Sequence, residues 1–376
     1  VDILAPRRAA APAVQRDDHL QVLAVVLLWQ VAMTLCGALL DPGTGRSAAA
    51  NWLVDGLLGH TFRGDSEWFN RILTQGYQGD PRISAFYPLF PLCVDLVRLL
   101  GLGQVDALGA AWLLNTVATW LAVLALLRIA RGFCTQPATP WLVVAGLLTV
   151  PGAFFLHMFS SEALFVALGF WAYLFALRGQ WARMALCLIP LTACRLTAVL
   201  FVVLCFLEFW RACGWRPRAL LSRRLLWFPV SFLGFAGYAA WLALSTGDAL
   251  GMVGRQLGSA WEVFAAGHWQ GFGEEVVPLA GLVLLAVASV YLISALGSAG
   301  VPLAVFGLAS FVVVAVNSDV VSVHRDLVPC LGMYVALGVL WERRPSWRPA
   351  TVAALMLGAS VQISVLCTIV AGSWAG

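Results

Sequence analysis

Long apolar runs recur from one end of this chain to the other, and they constrain its fold more than any other feature. They fall at residues 20–40, 105–128, 140–157, 162–177, 184–210, 225–246, 275–297, 300–316, 326–341 and 349–371. A helix needs roughly 20 apolar residues to span the hydrocarbon core of a bilayer, and most of these runs approach that length. The run at 184–210 is too long for one ordinary span, contains Pro190 and Arg195, and is basic at both ends. Two short helices turning near Cys194–Arg195 fit it better, which brings the expected total to about eleven spans. Composition agrees, with 61% hydrophobic and 11% charged residues, where soluble domains carry about 25% charged. The sequence therefore predicts an all-α polytopic integral membrane protein. Residues 1–376 form one embedded unit, with no internal repeat and no low-complexity tract.

Arginine placement predicts orientation. All 23 basic residues are Arg. Arg7, Arg8 and Arg16 precede the first run, which is long enough to be a retained span with its N-terminus inside. Arg128, Arg131, Arg178, Arg183, Arg211, Arg216, Arg218, Arg223, Arg224, Arg343, Arg344 and Arg348 join them, so fifteen of the 23 share the inner side. This bias holds only if Ala85–Leu100 lies along the outer interface rather than crossing. Residues 41–104 and 247–274 are then outer loops, and the joints at 158–161, near 195 and at 317–325 lie on the same side.

Several function classes lose support at this point. The net charge of +4 is small and dispersed, so a nucleic-acid partner is not expected. Nine cysteines stand singly, mostly in apolar runs, and five histidines make no metal-ligand spacing. Neither a metal nor a cofactor is expected.

The chemistry-bearing residues gather in the outer segments. The first outer loop contains GDSEWFNRILTQGYQGDPRISAFYPLFP from Gly64 to Pro91, with Asp65 and Glu67 ahead of a short amphipathic run. A carboxylate at an apolar interface is a better proton acceptor than one in bulk water. Asp65 is the leading candidate base and Glu67 its rival, although a solvated loop acid is the ordinary alternative. Arg195 sits in an apolar setting, where a guanidinium either snorkels or binds an anion such as phosphate with two parallel donors. His324-Arg325 is a second candidate anion contact, or an interfacial cap beside Asp326 and Asn317-Ser318-Asp319. Ser160-Ser161-Glu162 reads first as a helix start, with Glu162 able to shape a polar site. Trp261, His268, Trp269 and Phe272 read as an interfacial belt before a sugar platform.

In order along the chain, these blocks resemble the PIG-V-like mannosyltransferase family of the GT-C glycosyltransferase class. That family shows W-D-x-x-[HWY]-[FY], then G-Y, then F-[FY]-P-x-[FY]-P. The counterparts here are Gly64-Asp65-Ser66-Glu67-Trp68-Phe69, Gly76-Tyr77 and Phe86-Tyr87-Pro88-Leu89-Phe90-Pro91. Ser160-Ser161-Glu162-Ala163-Leu164-Phe165 matches the family's [YS]-[ST]-E-[AS]-L-F block. Cys194-Arg195-Leu196-Thr197-Ala198 and His324-Arg325 with Pro329 match its two arginine blocks. Gly64 replaces the usual Trp, and Leu196 and Ala198 replace the usual residues after the arginine.

The resemblance implies a GT-C-type fold with an interfacial helical segment in the first outer loop. It also implies a polyprenyl- or dolichyl-phosphate mannose donor and a glycolipid or other glycoconjugate acceptor. Asp65 would be the catalytic base, with inversion giving an α-mannoside. Arg195, His324 and Arg325 would hold the donor phosphate, while Glu162, Trp68 and Tyr87 would shape the site. The Phe86–Pro91 segment would wall a groove for the lipid tail. The compact, arginine-only chain fits a bacterial inner membrane with the site on the outer face, the alternative being an endoplasmic reticulum membrane with a lumenal site. A lipid-linked sugar transporter would place ionisable groups at mid-bilayer and show a repeat. A non-catalytic subunit of a glycosylation complex would keep the fold but could lose Asp65.

Overall fold

A computed structural model describes residues 16–41, 52–256, 258, 276–317 and 323–372. Arg7 and Arg8, Ser318 and Asp319, and the loop aromatics from Trp261 to Phe272 lie outside the described residues. Within them the chain is helical: α1 (Arg16–Leu40), α2 (Trp52–Leu58), α3 (Ser66–Gln75), α4 (Leu89–Leu100), α5 (Ala107–Arg131), α6 (Thr139–Thr149), α7 (Glu162–Leu177), α8 (Trp181–Thr192) and α9 (Ala198–Ala212). After a short Trp227–Val230 turn come α10 (Leu233–Thr246), α11 (Val276–Leu296), α12 (Val301–Asn317), α13 (Val323–Leu327), α14 (Leu331–Arg343) and α15 (Arg348–Val370).

Five helical stretches among the described residues are long and apolar enough to cross a membrane: Asp18–Leu40, Ala107–Arg131, Arg223–Thr246, Val276–Ala299 and Pro345–Val370. Others, including α6, α7, α8 and α12, are apolar but shorter. The sequence runs overstate them for a local reason. Pro151 and Pro329 lack an amide hydrogen and disfavour helix at the preceding residue. The run at 140–157 therefore stops being α-helical at Thr149, and the run at 326–341 begins as a regular helix only at Leu331. The expected break inside 184–210 is present, with α8 and α9 separated by a turn at 193–197. Ala85–Leu100, expected along the outer interface, contains α4, a 12-residue amphipathic helix.

The basic ends gather. Asp18 of α1 pairs with Arg131 of α5 at 2.7 Å, and Arg128 Nη2 lies 3.1 Å from the His19 ring. Beside the end of α14, Glu342 accepts the Thr135 and Gln136 amides at 2.9 and 2.8 Å. At the opposite end Arg63 pairs with Asp41 at 3.0 Å and reaches the Val370 carbonyl at the close of α15. The core lies between these ends. α7 packs against α5, α8 and α9, and α12 closes on α9. Gly169 leaves room for the Phe201 ring, which a Cβ would meet at 2.5 Å.

Candidate active site

Three irregular segments meet at the end away from the arginine cluster, and each delivers a charged side chain. The first is the start of α3. Gly64 has φ of +59°, a conformation that strains any residue with a Cβ. Ser66 closes the turn, its hydroxyl donating to the Arg63 carbonyl at 2.7 Å and accepting the Arg63 amide at 3.2 Å. Asp65 stands at the N-cap of α3 but makes no side-chain cap. Its carboxylate accepts from Arg325 Nη1 instead.

The second segment runs from Pro151 to Ser161, outside regular α-helix. Its carbonyls are satisfied by side chains from neighbouring helices, as buried irregular backbone requires. Asn115 Nδ2 donates to the Met158 carbonyl at 2.6 Å, and the Leu156 carbonyl accepts from Thr119 at 3.3 Å and from Gln30 Nε2 at 3.5 Å. Gln30, His157 and His60 form a buried chain, with His157 Nδ1 2.6 Å from Gln30 Oε1 and the two histidine Nε2 atoms 3.1 Å apart. Burial pushes His60 down to about 4 and His157 well below the usual imidazole range. The segment ends at Glu162, which is buried. The third is the turn between α8 and α9, fixed by the Leu89 amide donating to the Ala193 carbonyl at 3.2 Å. It presents Arg195.

Together these groups form a continuous ionic network. Glu162 Oε1 lies 2.5 Å from Arg195 Nη1 and 3.1 Å from Arg325 Nε, so one oxygen serves both guanidinia. Arg195 Nη2 reaches Asp326 Oδ1 at 3.7 Å, and Arg325 carries the pair to Asp65. Burial alone would lower the Arg325 guanidinium. The carboxylates of Asp65, Glu162 and Asp326 overcome it and hold that group charged, above its ordinary value.

Four members of the network line a cavity of about 490 Å³, while Asp65 stands outside that lining and meets it through Arg325. Glu162, Arg195, Arg325 and Asp326 line its polar end, with Gln256, Thr197 and Ser310 beside them. The remaining wall is apolar, made by Phe165, Val166, Leu200, Phe201, Phe306 and the valines of α12. A charged head with an apolar tail matches that shape. Among the described residues, no group of three or more His, Cys, Asp or Glu side chains is placed to hold a metal ion.

The structure brings Asp65, Glu162, Arg195 and Arg325 together. Glu67 is exposed on α3 and lies outside the network. His324 is buried, and burial holds its imidazole down at about 4, so it adds no positive charge near neutrality. Trp68 stacks on Phe86 at 5.4 Å and carries the Arg71 and Arg82 guanidinia at 5.0 and 5.5 Å from its ring. Tyr87 is buried against Tyr238, in a cluster flanked by Leu196 of the cavity wall. Both aromatics buttress the loop rather than enter the ionic network. Asp326 belongs to the network, although its sequence position beside Arg325 read as a helix-start charge.

No family model matches the chain, and no curated protein matches it. Among solved structures it is similar to the crystal structure of ArnT from Cupriavidus metallidurans bound to undecaprenyl phosphate. The TM-score is 0.57 and the identity 13%, over 93% of this chain and 63% of that one. The chain thus spans less than two thirds of the ArnT chain. At that identity the likeness is one of fold. The helical architecture built above is one that the ArnT structure shares.

Proposed function

We propose that this protein is a membrane glycosyltransferase that moves a sugar from a polyprenyl-phosphate donor to a hydroxyl of a glycolipid or other glycoconjugate. The observation that carries the reading is the guanidinia of Arg195 and Arg325 in the wall of a largely apolar cavity, with Asp65 joined to them through Arg325. The lipid tail lies along α9 and α12, and the phosphate is held by Arg195 and Arg325, whose planar forks match its oxygens. Asp65, at the membrane-surface end, takes the proton of the acceptor hydroxyl as its oxygen attacks the anomeric carbon from the face opposite the phosphate. Inversion follows from that geometry. The arginines stabilise the charge that develops on the leaving phosphate in a partly dry site, where such contacts are worth most.

The ordered sequence blocks favour mannose, with an α-mannoside product, and a bacterial inner membrane with the site on the outer face. Alternation of the helices between the two ends supports about eleven crossings. The test is purified protein with undecaprenyl-phosphate mannose and candidate glycolipids, reading released lipid phosphate. Asp65→Asn is nearly isosteric and should lower turnover about 10²–10⁴-fold, because an amide cannot accept the proton. Turnover near the wild-type rate in Asp65→Asn, with loss in Glu67→Gln, would move the base two residues along.

A further inference from the structure

The two partners of Arg325 differ in how firmly they are held. The Glu162 side chain is 4% exposed and hydrogen-bonded to Arg195, and it meets Arg325 Nε at 3.1 Å as an ion contact without a hydrogen bond, so Arg195 fixes it whichever partner Arg325 takes. The Asp65 side chain is 28% exposed and sits on a loop-borne helix start. An ion pair near solvent is weaker than one in a dry interior. Of the two contacts, the one to Asp65 is therefore the one that can be given up. A carboxylate oxygen paired with a guanidinium is already occupied, so a base built this way has to be released before it can meet an acceptor hydroxyl.

Resting on the function proposed above, we infer that Arg325 exchanges partners in the reaction. It holds the Asp65 carboxylate before transfer and the lipid phosphate as transfer proceeds, with Glu162 as the fixed pivot. The charge balance of the chemistry supports this. The acceptor oxygen bonds to the anomeric carbon as the bond from that carbon to the phosphate oxygen breaks. The electron pair goes to the phosphate, which passes from one negative charge to two. The acceptor proton goes to Asp65, which passes from one negative charge to none. Arg325 thus loses its partner at Asp65 in the same step that creates a new charge on the phosphate. Its Nε stays on Glu162 while the other end of the fork turns from one oxygen to the other. Arg195, held by Glu162 and Asp326, keeps its place and anchors the phosphate throughout.

If Asp65 and the phosphate compete for Arg325, removing the Asp65 charge strengthens phosphate binding, and only while Arg325 is present. The experiment measures binding of undecaprenyl phosphate to the full-length protein in detergent, with undecaprenol as the uncharged control. Asp65→Asn should bind undecaprenyl phosphate about tenfold more tightly than wild type, a coupling of the size that contacting charged groups show. Glu67→Gln, which removes an exposed charge two residues away, should change it little. In an Arg325→Ala background, or Arg325→Gln should the alanine variant fail to accumulate, Asp65→Asn should lose most of its effect. No tightening in Asp65→Asn would overturn the exchange while leaving the proposed function standing. So would tightening that persists undiminished without Arg325, since that is plain repulsion between Asp65 and the phosphate. Equal binding of undecaprenyl phosphate and undecaprenol by wild type would overturn the proposed function and the exchange with it.

Discussion

Gly152→Ala tests whether the site depends on the backbone packing beneath its charged side chains. Gly152 lies in the irregular segment before Glu162, and its φ of −84° suits any residue. Its role is space. A Cβ there would lie 2.0 Å from the His324 carbonyl oxygen, 2.6 Å from that carbonyl carbon and 3.1 Å from Val328 Cγ2. The obstacle is backbone, which cannot rotate aside as a long side chain would. To open the contact from 2.0 Å to beyond 3.0 Å, the start of α13 must retreat by about 1 Å. Arg325 is the next residue and moves with it. Its 3.1 Å approach to Glu162 and its pair with Asp65 would both be displaced. Overpacking of this kind costs about 1–3 kcal/mol of stability. A displacement of about 1 Å at a reacting centre costs on the order of 10²-fold in rate. The assays are thermal unfolding in detergent and turnover with undecaprenyl-phosphate mannose. Gly237→Ala is the control, since a Cβ there meets no heavy atom within 4 Å and α10 gains helix propensity. Gly152→Ala with the stability and turnover of wild type would refute the packing argument.

Arg195→Lys should weaken lipid-phosphate binding, since a point charge cannot reproduce a forked contact; affinity equal to wild type would make Arg195 a purely structural partner of Glu162. Stability should be greatest above pH 6.5 and fall as pH drops toward 4. Over that window an unfolded histidine binds a proton that His60, held at about 4, refuses in the folded chain. A thermal midpoint that stays level from pH 8 to pH 5, or one whose slope is the same in His60→Gln, would remove this account. On a cysteine-free background, Gln78→Cys should label with an impermeant reagent from outside, and Arg178→Cys and Arg218→Cys only after permeabilisation. Labelling of Gln78 and Arg178 from the same side would break the expected topology.

Much of the fold was legible because hydrophobic length and arginine placement are direct responses to the bilayer. The break between α8 and α9 was written as Pro190, Arg195 and a run too long for one span. The arginine bias asked for an interfacial segment at 85–100, and that stretch holds the short amphipathic α4. Helix ends were less legible. Pro151 and Pro329 lie inside apolar runs, and hydropathy does not respond to a missing amide hydrogen. The support of the 150–161 segment was hidden too. Asn115, Thr119 and Gln30 reach it from helices that are otherwise apolar, and any of them reads alone as an ordinary polar residue facing a neighbour.

The site was legible as a set of residues but not as a circuit. Asp65 and Arg325 are 260 positions apart, and Glu162 and Arg195 33 apart. Each arginine was expected to meet phosphate, and none was expected to hold a carboxylate. The missing step is electrostatic. Two guanidinia beside an apolar cavity are costly to bury unless anions meet them inside the protein. The anions must come from a small pool, because the chain has 19 acids in 376 residues. Glu162 opens a long apolar helix, and Asp326 stands beside an arginine at the start of another apolar run. Neither has a polar stretch around it to keep it solvated, so each needs a cation brought by a distant part of the chain. An acid at the threshold of an apolar span therefore signals a partner across the fold before it signals a cap. Applied here, that argument pairs Glu162 with an arginine from the same end of the bundle. Arg195 is set in an apolar stretch, and Arg325 stands at the start of an apolar run.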